Sequence, residues 1–242
     1  MISPIKWTGS KRHLAPELVK LFPEKYSVGG GNLLPYYNSP VQAGDIIPEL
    51  IDLWMEIKER PDELLRQYSK LWAESPDNYY DIRQRFNRNR NPVDFLFLSR
   101  TCVNGLIRFN KSGDFNSPLH LGRKGIAPEN LAKIFNSWSP ILNKIQFTCT
   151  DYRDLLEKAD SDTFVFLDPP YLNFAGRMYS GDFNHQQLFE VLENAKFRWL
   201  MTFDSSSDLP FKKALLDSGS NSYARYRGKE SLIQEAVYMN YS

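Results

Sequence analysis

The 242 residues, 42% hydrophobic and 14% aromatic, can bury a full core and have room for one domain plus an insertion. No apolar run approaches the ~18 residues of a membrane span, no signal peptide opens the chain, and the two cysteines, Cys102 and Cys149, form neither a disulfide framework nor a metal-ligand spacing. The net charge of +1 does not point to nucleic acid, but its distribution does: Arg83 to Lys124 holds nine Lys/Arg and two acids, the excess a phosphate-tracking surface needs.

In chain order, residues 12–22 read as a helix stopped by Pro23. A short strand, Tyr26–Val28, leads into Gly29, Gly30 and Gly31 and then an apolar helix from Leu33. Residues 41–45 read as a strand ending in Asp45. Glu49 to Tyr68 reads as one or two helices broken at Pro61, with Leu50, Leu53, Trp54 and Ile57 on one face. An aromatic, polar stretch over 72–86 precedes a buried helix from Asp94 to Val103. Lys111-Ser112-Gly113-Asp114 is a turn signal flanked by basic, aromatic and amide side chains, the types that read base edges. Pro128 opens a helix to Trp138. An alternating pattern follows: strand 145–149, helix 152–158, strand 163–167, helix 185–195 opened by His185, strand 198–203, helix 208–217 and a strand around 235–241. Such alternation predicts a parallel sheet covered on both faces.

The richest chemistry lies in Phe164-Val-Phe-Leu-Asp-Pro-Pro-Tyr171. A strand buried on both faces ends at an acid, two prolines force a turn, and Asp168 and Tyr171 fall where open α/β sheets bind ligands. A carboxylate, a carbonyl and an aromatic ring together suit the amino group of a flat heterocycle. At the amino terminus Gly9 permits close backbone approach, and a helix start near Ser10 offers N–H groups to an anion.

Asp168-Pro169-Pro170-Tyr171 resembles the catalytic motif of amino-group DNA methyltransferases. Ile5-Lys6-Trp7-Thr8-Gly9-Ser10-Lys11 resembles the Lys-Trp-x-Gly-(Gly/Ser)-Lys opening of the Dam-like adenine methyltransferases, and Val103 to Pro118 resembles their Asn-Gly-Leu-x-Arg-x-Asn-x-x-Gly-x-Phe-Asn-x-Pro stretch, the most specific match. Phe147 to Tyr152 is similar to the family's Phe-x-x-x-Asp-Phe/Tyr segment. One piece departs: the acid, Pro and Phe that precede the glycines in the family are absent between Tyr26 and Gly29.

The resemblance implies an α/β, Rossmann-like class I methyltransferase sheet with an inserted, mostly helical target-recognition domain over 53–138; residues 1–52 and 139–242 would form the catalytic domain. It implies S-adenosyl-L-methionine as cofactor, with Trp7, Lys11, Gly29, Gly31, Asp45, Asp151, Tyr152 and Asp168 around it, and no metal. Asp168, Pro169, Pro170 and Tyr171 would be catalytic. Double-stranded DNA would meet Arg88, Arg90, Asn104, Arg108, Asn110, Lys111, Phe115, Asn116 and Arg123. The expected activity is methylation of N6 of a flipped adenine, in a short palindrome such as GATC, by a monomer in the cytoplasm of a bacterial or phage-infected cell. Cytosine-N4 or RNA methylation, and a non-catalytic DNA-binding relative with a damaged glycine loop, are the alternatives.

Overall fold

The strand that delivers Asp168, β3 (Phe164–Leu167), belongs to a four-stranded sheet with β4 (Arg198–Phe203), β5 (Lys212–Asp217) and β6 (Gln234–Met239), in the order β3-β4-β6-β5, while β1 (Val41–Asp45) and β2 (Ile145–Cys149) pair in a second sheet. These elements come from a computed structural model that describes residues 1–23, 31–36, 41–172, 183–217 and 234–241. The expected strand Tyr26–Val28 and the glycines Gly29 and Gly30 lie outside the described residues; Gly31 opens a short 3-10 turn, Gly31–Tyr36. By backbone proximity the chain divides into two units. One gathers Met1–Ser10 and Gln42–Tyr152; the other takes the described residues of Lys11–Val41, Arg153–Ala175 and Phe183–Ser242.

The first unit is mostly helical: α2 (Pro48–Glu59), α3 (Pro61–Ala73), α4 (Tyr79–Asn89), α5 (Pro92–Thr101) and α6 (Pro128–Leu142). Proline stands in the first turn of four of them, α2, α3, α5 and α6, where its missing N–H costs nothing. The pivot is α5, buried from Val93 to Ser99. Asn91 caps it by accepting the Val93 N–H at 3.0 Å. Its one acid, Asp94, is fully buried and takes a bidentate pair from Arg85, Nε at 2.8 Å and Nη2 at 2.6 Å, so the charge is not stranded in the core. Trp54 stacks on Phe147 (5.6 Å between centroids, 7° between planes) and ties α2 to β2.

In the second unit β3 (Phe164–Leu167) and β4 (Arg198–Phe203) run parallel, with Phe164 opposite Arg198 and Leu167 opposite Met201. The apolar run of β3 is buried from Phe164 to Phe166, as a strand covered on both faces requires. β6 (Gln234–Met239) is antiparallel to β4 and to β5 (Lys212–Asp217). The remaining helices are α1 (Ala15–Lys20), α7 (Tyr152–Glu157) and α8 (His185–Glu193), the last capped by Asn184 through the Gln187 N–H at 3.0 Å.

The α/β class and most element positions hold. Two expectations are corrected. Residues 212–217 form an edge strand instead of part of a helix, because six-residue pairing with β6 outweighs the helix preference of Lys-Lys-Ala-Leu-Leu. The sheet is therefore mixed, with a parallel pair at one side only. Lys212 and Lys213 are exposed on that edge, where charge discourages pairing with other chains. Among the described residues no helix is long and apolar enough to cross a membrane.

Candidate active site and recognition segment

Strand register assembles the first cluster. Thr202 follows Met201, the last residue of β4 paired with β3, so it stands beside Asp168, which follows the last residue of β3. Across β4, Phe203 is opposite Ala236, so Glu235 enters from β6 at the same end of the sheet. Lys11 joins them from a short 3-10 turn, Lys11–His13.

Asp168 Oδ1 accepts from Thr202 Oγ1 at 2.8 Å and is 2.9 Å from Lys11 Nζ. The same ammonium lies 3.2 Å from Glu235 Oε1 and 4.9 Å from the Tyr171 ring centroid. Burial alone would depress Lys11, but the two carboxylates outweigh it and raise its pKa. Glu235 is pushed up by burial and further by Asp168, with Lys11 opposing.

The turn is held by one further contact. His185 Nε2 donates to the Pro170 carbonyl at 2.6 Å, and Phe203 packs on both the His185 and Tyr171 rings at 5.6 and 5.7 Å. Among the described residues, Asp168 Oδ2, the Pro169 carbonyl and the Tyr171 hydroxyl have no hydrogen-bond partner. Asp168 keeps 36% of its side chain exposed, so its free oxygen can meet a ligand. Of the sequence-based candidates, Lys11, Asp168, Pro170 and Tyr171 thus share one place. Thr202, Glu235 and His185 escaped sequence reasoning. Thr202 carried a faint signal, as the one hydroxyl in Arg-Trp-Leu-Met-Thr-Phe; Glu235 carried none, because its partner is 224 positions away.

The other unit brings Asp45 and the Phe147–Tyr152 segment together. The Thr150 N–H donates to the Asp45 carbonyl at 3.0 Å, and the Ile47 N–H donates to Asp45 Oδ1 at 2.9 Å. Burial nevertheless raises the Asp45 pKa to about 6 against those bonds. Cys149 is exposed, with Sγ 3.9 Å from the Ile46 carbonyl, whereas Cys102 is buried and its thiol is pushed up to about 11.

Trp7, half-buried, meets Phe95 edge-on at 6.3 Å, and Thr8 donates from N and Oγ1 to the Gly105 and Asn104 carbonyls, both at 3.0 Å. Gly105, at φ +68°, must be glycine: a Cβ there would stand 2.7 Å from Lys6 Cγ. Asn104 is left-handed as well, at φ 54°, a conformation asparagine tolerates.

Arg108 to Asn116 forms a hairpin closed by Asn116 N–H to Arg108 O at 3.0 Å and Asn110 N–H to Asp114 O at 2.8 Å. Several expected DNA contacts hold this loop instead of facing outward. Asn110 Oδ1 accepts the Asp114 N–H at 2.8 Å, Phe115 is 1% exposed, and Arg90 Nη2 donates to the Gly113 carbonyl at 2.8 Å. Asn87, from α4, binds Phe115 at both its N–H (2.8 Å) and its carbonyl (3.1 Å). Arg108 Nε donates to Asn116 Oδ1 at 2.8 Å. Arg88 and Lys111 are exposed, with no partner among the described residues, and Arg123 is half-buried with an unpartnered Nη1.

A family model described as D12 class N6 adenine-specific DNA methyltransferase matches residues 7–230. The chain is 32% identical to the DNA adenine methylase of Haemophilus influenzae over 204 residues, 74% of this chain and 68% of that protein. It is 30% identical over 237 residues to the DNA adenine methylase of Vibrio cholerae, covering 87% and 83% of the two chains. It is also 30% identical over 200 residues to the type II methyltransferase M.MjaIII of Methanocaldococcus jannaschii, covering 69% and 68%. With a match that spans both the Asp-Pro-Pro-Tyr turn and the Val103–Pro118 stretch, the chain belongs to the D12 class of N6 adenine-specific DNA methyltransferases.

Proposed function

We propose that the target adenine is flipped out of duplex DNA and held by the turn after β3, with S-adenosyl-L-methionine as methyl donor. The observation that carries this reading is the division of acceptors at the turn. Asp168 Oδ1 is tied to Lys11 and Thr202 and the Pro170 carbonyl to His185, while Asp168 Oδ2 and the Pro169 carbonyl have no partner among the described residues. An exocyclic amine has two N–H groups, and two acceptors beside an aromatic ring match them. Holding both hydrogens draws the amine lone pair out of conjugation, and Tyr171 supports the base face. Two carboxylates against one ammonium leave the cluster negative, which favours positive charge developing on the nitrogen.

The cofactor fits the donor set. Asp45 is a half-buried carboxylate with a raised pKa, an acceptor suited to ribose hydroxyls, and Asp151 and Tyr152 follow directly on Thr150, which is bonded to it. Trp7 and Lys11 remain assigned to the cofactor on the family resemblance. When bound, S-adenosyl-L-methionine supplies an electrophilic methyl on a sulfonium. Residues 53–138 are read as the recognition domain, with Arg88, Lys111 and Arg123 as its foremost DNA contacts and GATC as the first site to test.

The test is to incubate the protein with plasmid and S-adenosyl-L-methionine and to map methylated bases by sequencing. N6-methyladenine at one short motif is expected from the wild type. Asp168→Ala should lose about 100- to 1,000-fold in rate, as when an oriented donor or acceptor to the reacting group is removed. Undiminished transfer by that variant would refute the assignment.

A further inference from the structure

We propose that Glu235 is a positioning residue for methyl transfer, sharing the Lys11 ammonium so that Asp168 keeps an oriented, incompletely neutralised carboxylate for the incoming amine. This rests on the assignment of Asp168 to the target base. Lys11 is 10% exposed and lies between the two acids, 2.9 Å from Asp168 Oδ1 and 3.2 Å from Glu235 Oε1. Glu235 is itself only 12% exposed, Lys11 is the one cation paired with it among the described residues, and Oε1 makes no hydrogen bond there. The residues that follow it in β6, Ala236 to Met239, are buried and, apart from the Tyr238 hydroxyl, apolar. A carboxylate there stabilises neither a cap nor a turn, and burying it without a purpose would be costly.

The arrangement gives it one. A buried ammonium with a single acid beside it would pair fully with that acid, because an unpaired charge in such a place is expensive. With Glu235 sharing the ammonium's charge, Lys11 anchors Oδ1 alongside Thr202 without masking Oδ2. Replacing Glu235 with glutamine keeps the shape and removes the charge. Lys11 then pairs more closely with Asp168, which becomes a weaker and less well aimed acceptor.

The experiment measures single-turnover methyl transfer at saturating S-adenosyl-L-methionine on a duplex carrying the site mapped on plasmid. Glu235→Gln should slow transfer at least about fivefold while the KM and affinity for DNA stay within about twofold, and Glu235→Asp should recover most of the rate. A rate for Glu235→Gln within twofold of wild type would overturn the proposal. So would a parallel rise in KM, an aspartate variant no better than the glutamine one, or loss of the folded state in both, each of which makes Glu235 a residue of the fold alone. Asp168→Ala in the same assay separates the two levels: if it transfers methyl at full rate, the reading of the pocket fails, whatever Glu235 does.

Discussion

The two units use charge in opposite ways. In the unit that carries Asp168, ionisable groups converge: one ammonium serves two carboxylates at the end of a sheet, and oxygens are left free for a ligand. In the unit that carries the Arg108–Asn116 hairpin, cations disperse into structural work. Arg85 neutralises buried Asp94, Arg100 donates to the Pro4 carbonyl at 2.8 Å, Arg83 reaches the Ser117 carbonyl at 3.3 Å, and Arg90 braces the hairpin turn. A local excess of positive charge in a sequence therefore overstates the surface offered to DNA. What distinguishes a binding cation is the absence of an internal acceptor.

The sharpest way to break this comparison is at Asn87. Asn87→Ala removes both bonds to the Phe115 backbone and leaves that backbone unsatisfied, which should cost about 2–3 kcal/mol of stability. Denaturant unfolding would show it; an unchanged midpoint would mean the hairpin does not depend on α4. Next in size is the cofactor's dependence on pH. Ionised Asp45 would accept ribose hydroxyls, and its pKa lies at about 6, so affinity for S-adenosyl-L-methionine should fall severalfold as pH drops from about 7 to 5. The folded carboxyl holds its proton more tightly than the unfolded chain does, so the same group costs the free protein stability as pH rises from about 4 through 6. Calorimetric titration of Asp45→Asn should show a weaker affinity that no longer varies with pH; a retained slope would remove Asp45 from the site.

Smaller effects separate the arginines. Arg88→Ala should flatten the salt dependence of DNA binding by about one unit, as one lost phosphate contact does, and Lys111→Ala likewise. Arg90→Ala should lower stability and leave the slope nearly unchanged. The reverse result would show that Arg90 leaves Gly113 to meet DNA. Least affected should be Tyr171→Phe, whose transfer rate should stay within about twofold, since the hydroxyl bonds nothing among the described residues. A large loss would give that hydroxyl a role.

How far the chain could be read in advance depended on the range of the forces involved. β3 announces itself because four apolar residues run straight into an acid and two prolines, all local. The break at Pro61 between α2 and α3 is likewise local. Residues 212–217 misled because their local preference is helical and their partner strand lies some twenty positions on. Longer separations hid the rest of the pocket. Asp168 and Tyr171 were legible as a motif, but Thr202 and Glu235 reach them only through strand register. Over Val103 to Pro118 the motif located the hairpin, yet it could not separate Asn110 and Phe115, which build the loop, from Lys111 at its tip.

The contrast between the two thiols has a practical use. Cys102 is buried and its thiol is pushed up to about 11, so a maleimide or disulfide reagent will pass it by, whereas Cys149 is open to solvent, its Sγ 3.9 Å from the carbonyl of Ile46, the residue after Asp45. The chain therefore offers one solvent-open thiol as an attachment point for a fluorophore, and if Asp45 meets the ribose as proposed, emission from that label should follow S-adenosyl-L-methionine binding without engineering a cysteine or removing one.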